Sequence, residues 1–249
     1  ERNLGQDYLT QYHYDSRNFL VKLTDSLGNV RHFSYDSLGR MLSQEDLHAV
    51  ADTDFGVWSY SYDDNGNSLT AADPKGQLMH YSYDELNRMK TDELVGDPTT
   101  LQSYSYDQGS NALGRLSQVL TPDHVLQASY DVRGRLSSET QTIDGQSYVK
   151  SYAYTRFDQP EQVNMPDDLV VNRVYNAVGQ LDQLNTSAGV AMSGLQYSPL
   201  RQVEELQYGN GTVSLFEYDP QQMYRLARKQ SSSPAITPAL LQDIFYTYD

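Results

Sequence analysis

The sequence has no cysteine, a single tryptophan and six phenylalanines, and no apolar run approaches the ~20 residues of a membrane-spanning helix. The absence of cysteine excludes disulfide frameworks, thiolate nucleophiles, and zinc–thiolate or iron–sulfur sites. The opening residues Glu1-Arg2-Asn3-Leu4 lack the apolar core of a signal peptide. We therefore expect a soluble segment that does not insert into a membrane and whose export signal, if it has one, lies elsewhere.

Basic residues are also scarce. The chain has 18 lysines and arginines against 33 acidic residues, which gives a formal net charge of -15. Binding to nucleic acid without sequence preference depends on Lys and Arg that neutralise phosphate charge. The composition therefore predicts no nucleic-acid partner.

Tyrosine, in contrast, occurs 21 times, and eleven tyrosines recur at intervals of 21 to 30 residues. Recurrence of one residue type at intervals of this size is the signature of a repeat architecture. We term these residues the anchor tyrosines: Tyr14, Tyr35, Tyr62, Tyr83, Tyr106, Tyr130, Tyr154, Tyr175, Tyr197, Tyr218 and Tyr248. Aspartate follows eight of them: Asp15, Asp36, Asp63, Asp84, Asp107, Asp131, Asp219 and Asp249.

A second aromatic residue stands two positions before most anchors, as in Tyr60-Ser61-Tyr62. This alternation places both rings on one face of a β-strand, whereas a helix would point them to opposite sides. Four residues after the anchor comes a glycine such as Gly39 or Gly134, or an Asn or Asp, the residue types that best tolerate positive φ. The sequence therefore predicts a strand that ends in a turn, where the aspartate accepts backbone N–H bonds.

The chain resumes after this turn with Arg-Met or Arg-Leu, as at Arg40-Met41, and soon reaches a second turn such as Asp73-Pro74-Lys75-Gly76. In the copy at Tyr106 an insertion displaces the turn glycine to Gly114. Each repeat is thus two strands and two turns, and connections this short make neighbouring strands antiparallel. Because strand twist accumulates, we predict an all-β array of antiparallel hairpins that forms a spiralling sheet.

The pattern Tyr-Asp-x-x-Gly-Arg-Leu/Met, clearest at 35–41 and 130–136, resembles the YD-repeat or Rhs family. That family includes bacterial Rhs toxins, the B and C subunits of insecticidal toxin complexes, and teneurins. The resemblance implies a hollow β-shell, which in bacterial members houses a toxic C-terminal segment. The residues that carry the structural motif here are Tyr14, Asp15, Tyr35, Asp36, Gly39, Arg40, Tyr62, Asp63, Gly66, Tyr83, Asp84, Arg88, Tyr106, Asp107, Gly114, Arg115, Tyr130, Asp131, Gly134, Arg135, Tyr175, Gly179, Tyr218 and Asp219.

Three copies depart from the pattern at the glycine position, where Asp158, Arg201 and Gln222 stand instead. We expect wider turns at these places. Self-cleaving family members carry an Asp-Pro-x-Gly type motif, of which Asp219-Pro220-Gln221-Gln222 has only the first two residues. No cleavage site is therefore predicted.

Other chemistry has little support. The five histidines His13, His32, His48, His80 and His124 never fall in H-x-x-x-H or H-x-H spacing. The acidic stretches 52–56 and 63–67 alternate oxygen ligands as calcium loops do, but lack the glycine at position six. We predict no catalytic, cofactor-binding or metal-binding residues.

The predicted organisation is a single array of about ten repeats over residues 1–249, a fragment of a longer shell, with a longer and less regular last repeat at 220–249. The leading hypothesis is a non-catalytic structural segment, secreted or at the surface of a bacterium. It would enclose a C-terminal polypeptide or join a partner shell subunit of a toxin complex. The alternative is an extracellular adhesion or carbohydrate-binding module whose tyrosines stack on glycans, and an enzyme such as a glycosidase ranks third.

Overall fold

The computed structural model describes residues 2–3, 6–235 and 239–248. Their regular structure is β-strand apart from one short 3-10 helix, η1, at Pro220–Gln222. The strands of the first half are β1 (Arg2–Asn3), β2 (Gln6–Asp7), β3 (Gln11–Tyr14), β4 (Leu20–Thr24), β5 (Val30–Tyr35), β6 (Met41–Glu45), β7 (Val57–Tyr62), β8 (Ser68–Ala72), β9 (Leu78–Tyr83), β10 (Met89–Leu94), β11 (Asp97–Tyr106) and β12 (Leu116–Leu120). Those of the second half are β13 (His124–Tyr130), β14 (Leu136–Ile143), β15 (Gln146–Tyr154), β16 (Pro160–Asn164), β17 (Val170–Tyr175), β18 (Leu181–Thr186), β19 (Gly189–Tyr197), β20 (Val203–Tyr208), β21 (Val213–Asp219), β22 (Arg225–Ser232) and β23 (Leu240–Phe245).

The chain divides into two compact units. The first comprises Glu1–Gln127 with Thr142–Gly145, and the second comprises Ala128–Gln141 with Gln146–Asp249. In the first unit each strand from β3 to β13 pairs antiparallel with the next one along the chain. In the second unit the same holds from β15 to β23. The predicted all-β array of antiparallel hairpins is confirmed.

The anchor tyrosines from Tyr14 to Tyr197 are each the last residue of an odd-numbered strand. Because consecutive strands are antiparallel, the odd-numbered strands of one unit run in the same direction. The turns that follow them, here termed the anchor turns, therefore lie along one edge of each unit's sheet. This arrangement brings the motif residues of successive repeats next to one another.

A β-bulge recurs just before the anchors. Ser34 pairs with Ser43 but Tyr35 pairs with Met41, so one residue of β6 is left without a partner across the strand pair. The same shift precedes Tyr62, Tyr106, Tyr154 and Tyr175, among others. A bulge bends the strand and changes the direction of nearby side chains. Here the bulge lies directly before the anchor turn.

Full burial is rare in both units. Among the described residues, the hydrophobic side chains that are fully buried are Val30, Ala112 and Val163. Most strand residues are half-buried, which is what a sheet gives when no second layer of structure packs on it. Contacts between neighbouring repeats must therefore supply much of the stability.

No helix in residues 2–3, 6–235 and 239–248 combines the length and apolarity that crossing a membrane would require.

Candidate functional site

The anchor turns are closed by the aspartate that follows each tyrosine. Asp36 Oδ1 accepts the backbone N–H groups of Leu38 and Arg40, each at 2.9 Å. The backbone N–H of Gly39 donates to the carbonyl of Asp36 at 3.2 Å, and the backbone N–H of Asp36 donates to the carbonyl of Arg40 at 2.9 Å. The predicted acceptance of backbone N–H bonds by the aspartate is confirmed at this turn, and Asp84 and Asp131 bind their turns in the same way.

Two of the three irregular copies keep this turn. Asp158 and Arg201 adopt positive φ of 66° and 64°, as the glycines do, and their N–H groups donate to Thr155 and Ser198 at 3.1 and 2.9 Å. The expectation of wider turns there is wrong, because a non-glycine residue in the left-handed region keeps the same hydrogen bonds. The expectation is confirmed for the copy at Tyr218, where η1 intervenes before the chain turns back.

The hydroxyl of the anchor tyrosine binds the preceding strand. Tyr106 Oη donates to the carbonyl of Met89, the first residue of β10, at 2.9 Å. A Tyr hydroxyl in this position ties the end of one repeat to the start of the strand before it, and satisfies a polar group that half-burial would otherwise penalise. The same bond recurs from Tyr35 to Leu20, Tyr62 to Met41, Tyr154 to Leu136, Tyr175 to Pro160, Tyr197 to Leu181, Tyr218 to Val203 and Tyr248 to Leu226.

Arginine joins one repeat to the next. Arg88 Nε lies 2.7 Å from Asp84 Oδ2 in its own turn, and its Nη2 lies 2.8 Å from Asp107 Oδ2 in the next anchor turn. Its guanidinium also covers the ring of Tyr106, 4.3 Å from the centroid, which is favourable cation–π geometry. We term the set Asp84, Arg88, Tyr106 and Asp107 a rung, because it crosses from one repeat to its neighbour.

Other repeats build comparable rungs. Arg40 contacts Asp36 Oδ2 at 2.6 Å and lies 4.9 Å from the Tyr62 ring centroid, while its Nη1 donates to the carbonyl of Asp63 at 2.6 Å. Arg135 contacts Asp131 and Asp158, each at 2.6 Å, and lies over the Tyr154 ring. In other repeats Asn or Gln stands at the same position, and its side-chain amide donates a hydrogen bond in place of the guanidinium: Asn67 Nδ2 to Asp63, Gln159 Nε2 to Gly179 and Gln202 Nε2 to Tyr224.

These contacts stabilise the ionised carboxylates. The Arg88 guanidinium, together with the Gly114 N–H, holds the pKa of Asp107 below its usual range. The Arg135 side chain, followed by burial that acts in the opposite sense and by backbone N–H groups, has the same net effect on the pKa of Asp131. A lowered pKa means that the ionised form is the one the folded turn prefers.

The residue between the paired aromatics points to the opposite face and forms a second, polar row. Ser34 Oγ lies 2.6 Å from Ser43 Oγ across β5 and β6, and Ser61 Oγ lies 2.6 Å from Thr70 Oγ1 across β7 and β8. Each pair joins the two strands of one hairpin. The rungs join neighbouring repeats along the sheet edge, so the two sets of contacts are complementary.

The remaining predicted motif residues lie at equivalent places. Tyr14 ends β3 and is 56% exposed, and Asp15 binds Arg17 and the Phe19 N–H in its turn. Gly114 has φ of 76° and its N–H donates to Asp107 Oδ1, as the predicted displacement requires.

Asp219 accepts the Gln221 N–H and caps η1. Asp249 lies outside the described residues. Tyr83 and Tyr130 end β9 and β13, the Gly66 and Gly134 turns follow the pattern, and Gly179 lies beside Gln159.

Burial raises the pKa of several anchor tyrosines and of Tyr104, which stands two positions before an anchor. Burial is the first cause of the shift for Tyr62, Tyr83, Tyr106 and Tyr154, and it raises the pKa of Tyr104 to about 12. A tyrosine whose folded pKa exceeds its unfolded value of about 10 favours the fold below pH ~10, and this contribution is lost as the pH rises through the folded pKa. Ionisation of these tyrosines at alkaline pH should therefore destabilise the folded sheet.

We expect the β-sheet signal in circular dichroism to be lost between pH ~10 and ~12, together with the late part of the tyrosinate absorbance change. The comparison is the same titration in concentrated urea, where all tyrosines should ionise near pH ~10. Complete ionisation near pH 10 in the folded protein, with the sheet signal intact, would contradict the half-buried placement of these rings.

One cluster was missed by the sequence argument. His32, Glu45 and His48 bring their ligand atoms to within 4.8 Å of one another, in the first unit. The signal in the sequence is Glu45-x-x-His48 beside a hairpin, a spacing that differs from the H-x-x-x-H and H-x-H patterns. The acidic stretch at 63–67 forms an anchor turn, in which both Asp63 carboxylate oxygens bind Asn67.

Comparison with known proteins agrees with this geometry. A family model described as Teneurin YD-shell matches residues 55–198, more than half of the chain. The chain belongs to this YD-shell family. An RHS repeat model matches residues 14–46, and no curated protein sequence matches. The predicted YD-repeat or Rhs resemblance is confirmed, and the chain is a structural shell segment of a YD-repeat protein.

Solved structures share the fold. The structure titled TcdB2-TccC3-TEV aligns with 96% of this YD-shell chain at a TM-score of 0.70 and 16% identity, and TcdB2-TccC3-Cdc42 aligns with 99% at 0.70 and 16%. A Tc holotoxin pore of Photorhabdus luminescens with a TccC3 mutation aligns with 97% at a TM-score of 0.53 and 14% identity. This chain spans 15% of the length of the first two chains and 17% of the third.

Proposed function

We propose that this chain forms part of the wall of a hollow YD-repeat shell and that the shell encloses a C-terminal polypeptide. The observation that carries the proposal is the single-layer character of both units. Among the described residues just three hydrophobic side chains are fully buried, although the sheets span more than twenty strands. A sheet normally buries one face against a second layer of secondary structure. In a sheet without a second layer, an enclosed polypeptide would contact the face that is otherwise uncovered.

The rungs suit a wall because they use one edge of the sheet rather than an interior core. Neighbouring repeats are joined by the side chain after the turn, which is Arg in some repeats and Asn or Gln in others, and by the hydroxyl of the anchor tyrosine. Stability in such an array is a sum over neighbouring pairs, so repeats can be added without a new core. This supports a mechanical role, and we propose that the segment is not catalytic.

Charge and exposed apolar groups support a polypeptide partner. The net charge of -15 would attract a basic cargo. In the second unit, three successive anchor turns each present an exposed apolar side chain at the tip, namely Phe157, Val178 and Leu200. Exposed apolar groups in a regular row are suited to contact with protein. We propose that the contact is with the enclosed polypeptide or with a partner shell subunit.

The relatives make a toxin context the natural one to test. The neighbours TcdB2-TccC3-TEV and TcdB2-TccC3-Cdc42 share one named pair of proteins and differ in the third component. By extension we propose a secreted or cell-surface bacterial protein for this chain. The carbohydrate-binding alternative has less support, because the hydroxyls of eight anchor tyrosines donate to backbone carbonyls and because Tyr81 and Tyr104 are half-buried.

Limited proteolysis of the full-length protein tests the wall. Removal of residues 63–106 takes out two repeats in phase, so that Tyr62 is followed by Asp107 and the strand order stays antiparallel. We expect the C-terminal segment to be digested at least about tenfold faster in this variant, because a gap opens the enclosure.

The isolated C-terminal segment gives the upper limit for the digestion rate. The matched control is Lys150→Arg, a conservative substitution outside the rungs. In this variant the C-terminal segment should be digested as slowly as in the parent. Equal digestion of the C-terminal segment in the parent and in the shortened variant would overturn the proposed enclosure, while leaving the family assignment untouched.

A further inference from the structure

Three side chains of the first unit converge on one point. His32 comes from β5, Glu45 is the last residue of β6, and His48 lies in the connection to β7. Glu45 Oε2 lies 2.6 Å from His32 Nδ1 and 3.1 Å from His48 Nε2. The backbone N–H of His32 also donates to the same oxygen at 3.0 Å. One carboxylate oxygen thus faces two imidazole nitrogens.

The hydrogen bonds of His48 determine which of its nitrogens carries hydrogen. Nδ1 lies 3.0 Å from the carbonyl oxygen of Ala49, and a carbonyl can only accept, so Nδ1 is the donor. In a neutral imidazole the other nitrogen then presents a lone pair. That lone pair faces Glu45 Oε2, an acceptor when ionised, so a positive species must lie between them: a second proton or a metal ion.

His48 is also held in place. Its side chain is 8% exposed, and its ring stacks on Phe55 with the centroids 3.7 Å apart and the planes 2° from parallel. Metal-bound histidines usually donate their other N–H to a backbone carbonyl or carboxylate, which fixes the tautomer and the ring orientation. The bond from His48 Nδ1 to Ala49 has this form.

We propose that His32, Glu45 and His48 bind one divalent transition metal ion, with Zn²⁺ as the best match. Imidazole and carboxylate ligands suit Zn²⁺, and three protein ligands leave a position for water. Bond lengths of ~2.1 Å around a tetrahedral ion place the ligand atoms about 3.4 Å apart, so the two distances from Glu45 Oε2 to the imidazole nitrogens must lengthen by less than about 1 Å. The His32 side chain is 48% exposed and can move by this amount. The ion joins the β6–β7 connection to β5, where Val30 and His48 already form a β-bridge.

The chain supplies its own comparison site. His80 and Glu93 are paired across β9 and β10, with the same separation in sequence as His32 and Glu45, and His80 Nδ1 lies 3.7 Å from Glu93 Oε1. Three residues after Glu93 stands Gly96 rather than histidine. This second hairpin therefore offers two ligands where the first offers three, and it should bind Zn²⁺ far more weakly.

The test is competition between the untagged protein and a chromophoric chelator for Zn²⁺ alone. We expect one equivalent of Zn²⁺ to bind, His32→Gln to weaken the affinity at least about tenfold, and His80→Gln to leave it unchanged. His32 is largely exposed, so its substitution removes a ligand without removing a packed group; Glu45→Gln should act in the same direction. Saturating Zn²⁺ should also raise the Tm of the parent by on the order of 5 °C, and not that of His32→Gln.

Three results would overturn the proposal: no binding at micromolar Zn²⁺, binding that His32→Gln leaves unchanged, or binding that His80→Gln weakens equally. The first would assign the position between His48 and Glu45 to a proton. The parent, His32→Gln and His80→Gln proteins are compared for β-sheet content by circular dichroism, so that a loss of affinity is not confused with a loss of folding.

Discussion

Replacement of Gly39 by valine is expected to lower the free energy of unfolding by about 3 to 5 kcal/mol, by the usual cost of backbone strain together with overpacking. Gly39 has φ of +84°, a region in which a β-branched residue is strained. A Cβ at this position would also meet the ring of Phe19, from the preceding anchor turn. The substitution thus strains its own turn and pushes on its neighbour.

Gly66→Val separates the two effects. Gly66 has φ of +91° in the equivalent turn, but a Cβ there meets no atom within 4 Å. We expect it to lose about 1 to 3 kcal/mol, from backbone strain alone. Urea unfolding followed by tyrosine fluorescence measures both variants. If the two lost the same amount, Phe19 would not pack against the Gly39 turn as described.

Substitution of the arginine in a rung should also lower the stability of the fold substantially. Arg88→Met keeps much of the aliphatic stem but removes the pairs with Asp84 and Asp107 and the guanidinium above Tyr106. The two carboxylates then remain without the cation that lay between them. We expect the unfolding midpoint to fall by on the order of 5 °C at low salt, and by less in 1 M salt because screening weakens the pairs.

Arg156→Met is the matched control. The Arg156 guanidinium lies over Phe157 at 4.6 Å, within a single turn, so it does not cross between repeats. Its substitution should change the midpoint little, as is usual for surface positions. An equal loss for Arg88→Met and Arg156→Met would mean that the rung adds nothing beyond ordinary surface contacts.

The repeat and its strands could be predicted from sequence because their signals are local. Tyr60-Ser61-Tyr62 fixes a period of two, and the Gly, Asn or Asp that stands four positions after most anchors fixes a tight turn, so the strands and their ends follow. The wider turns expected at Asp158 and Arg201 were wrong because glycine is not the only residue that can enter the left-handed region. Asp158 adopts the less favoured left-handed backbone conformation and also forms ion pairs with Arg133 and Arg135.

The rungs and the histidine cluster could not be read from sequence in the same way. The arginine after several anchor turns is part of the sequence motif, but its partner is the tyrosine of the next repeat, and this depends on which strands lie side by side. His32 and Glu45 meet through the register of β5 and β6, and His48 joins them because the connection after β6 returns to Val30. Neither distance is visible in the order of residues alone.

Rungs between repeats hold the sheet together, and a double-mutant cycle between Arg88 and Asp107 tests this most directly. Asp107→Asn keeps the shape of the side chain and suits the positive φ of 64° at this residue. Arg88→Met, Asp107→Asn and the double variant are compared by urea unfolding at low salt, with Arg88→Met combined with Asp36→Asn, which lies two repeats away in the same unit, as the distant control cycle. The account predicts that the double variant loses clearly less stability than the sum of the single variants, and that the control cycle is additive. Additive losses in both cycles would contradict it.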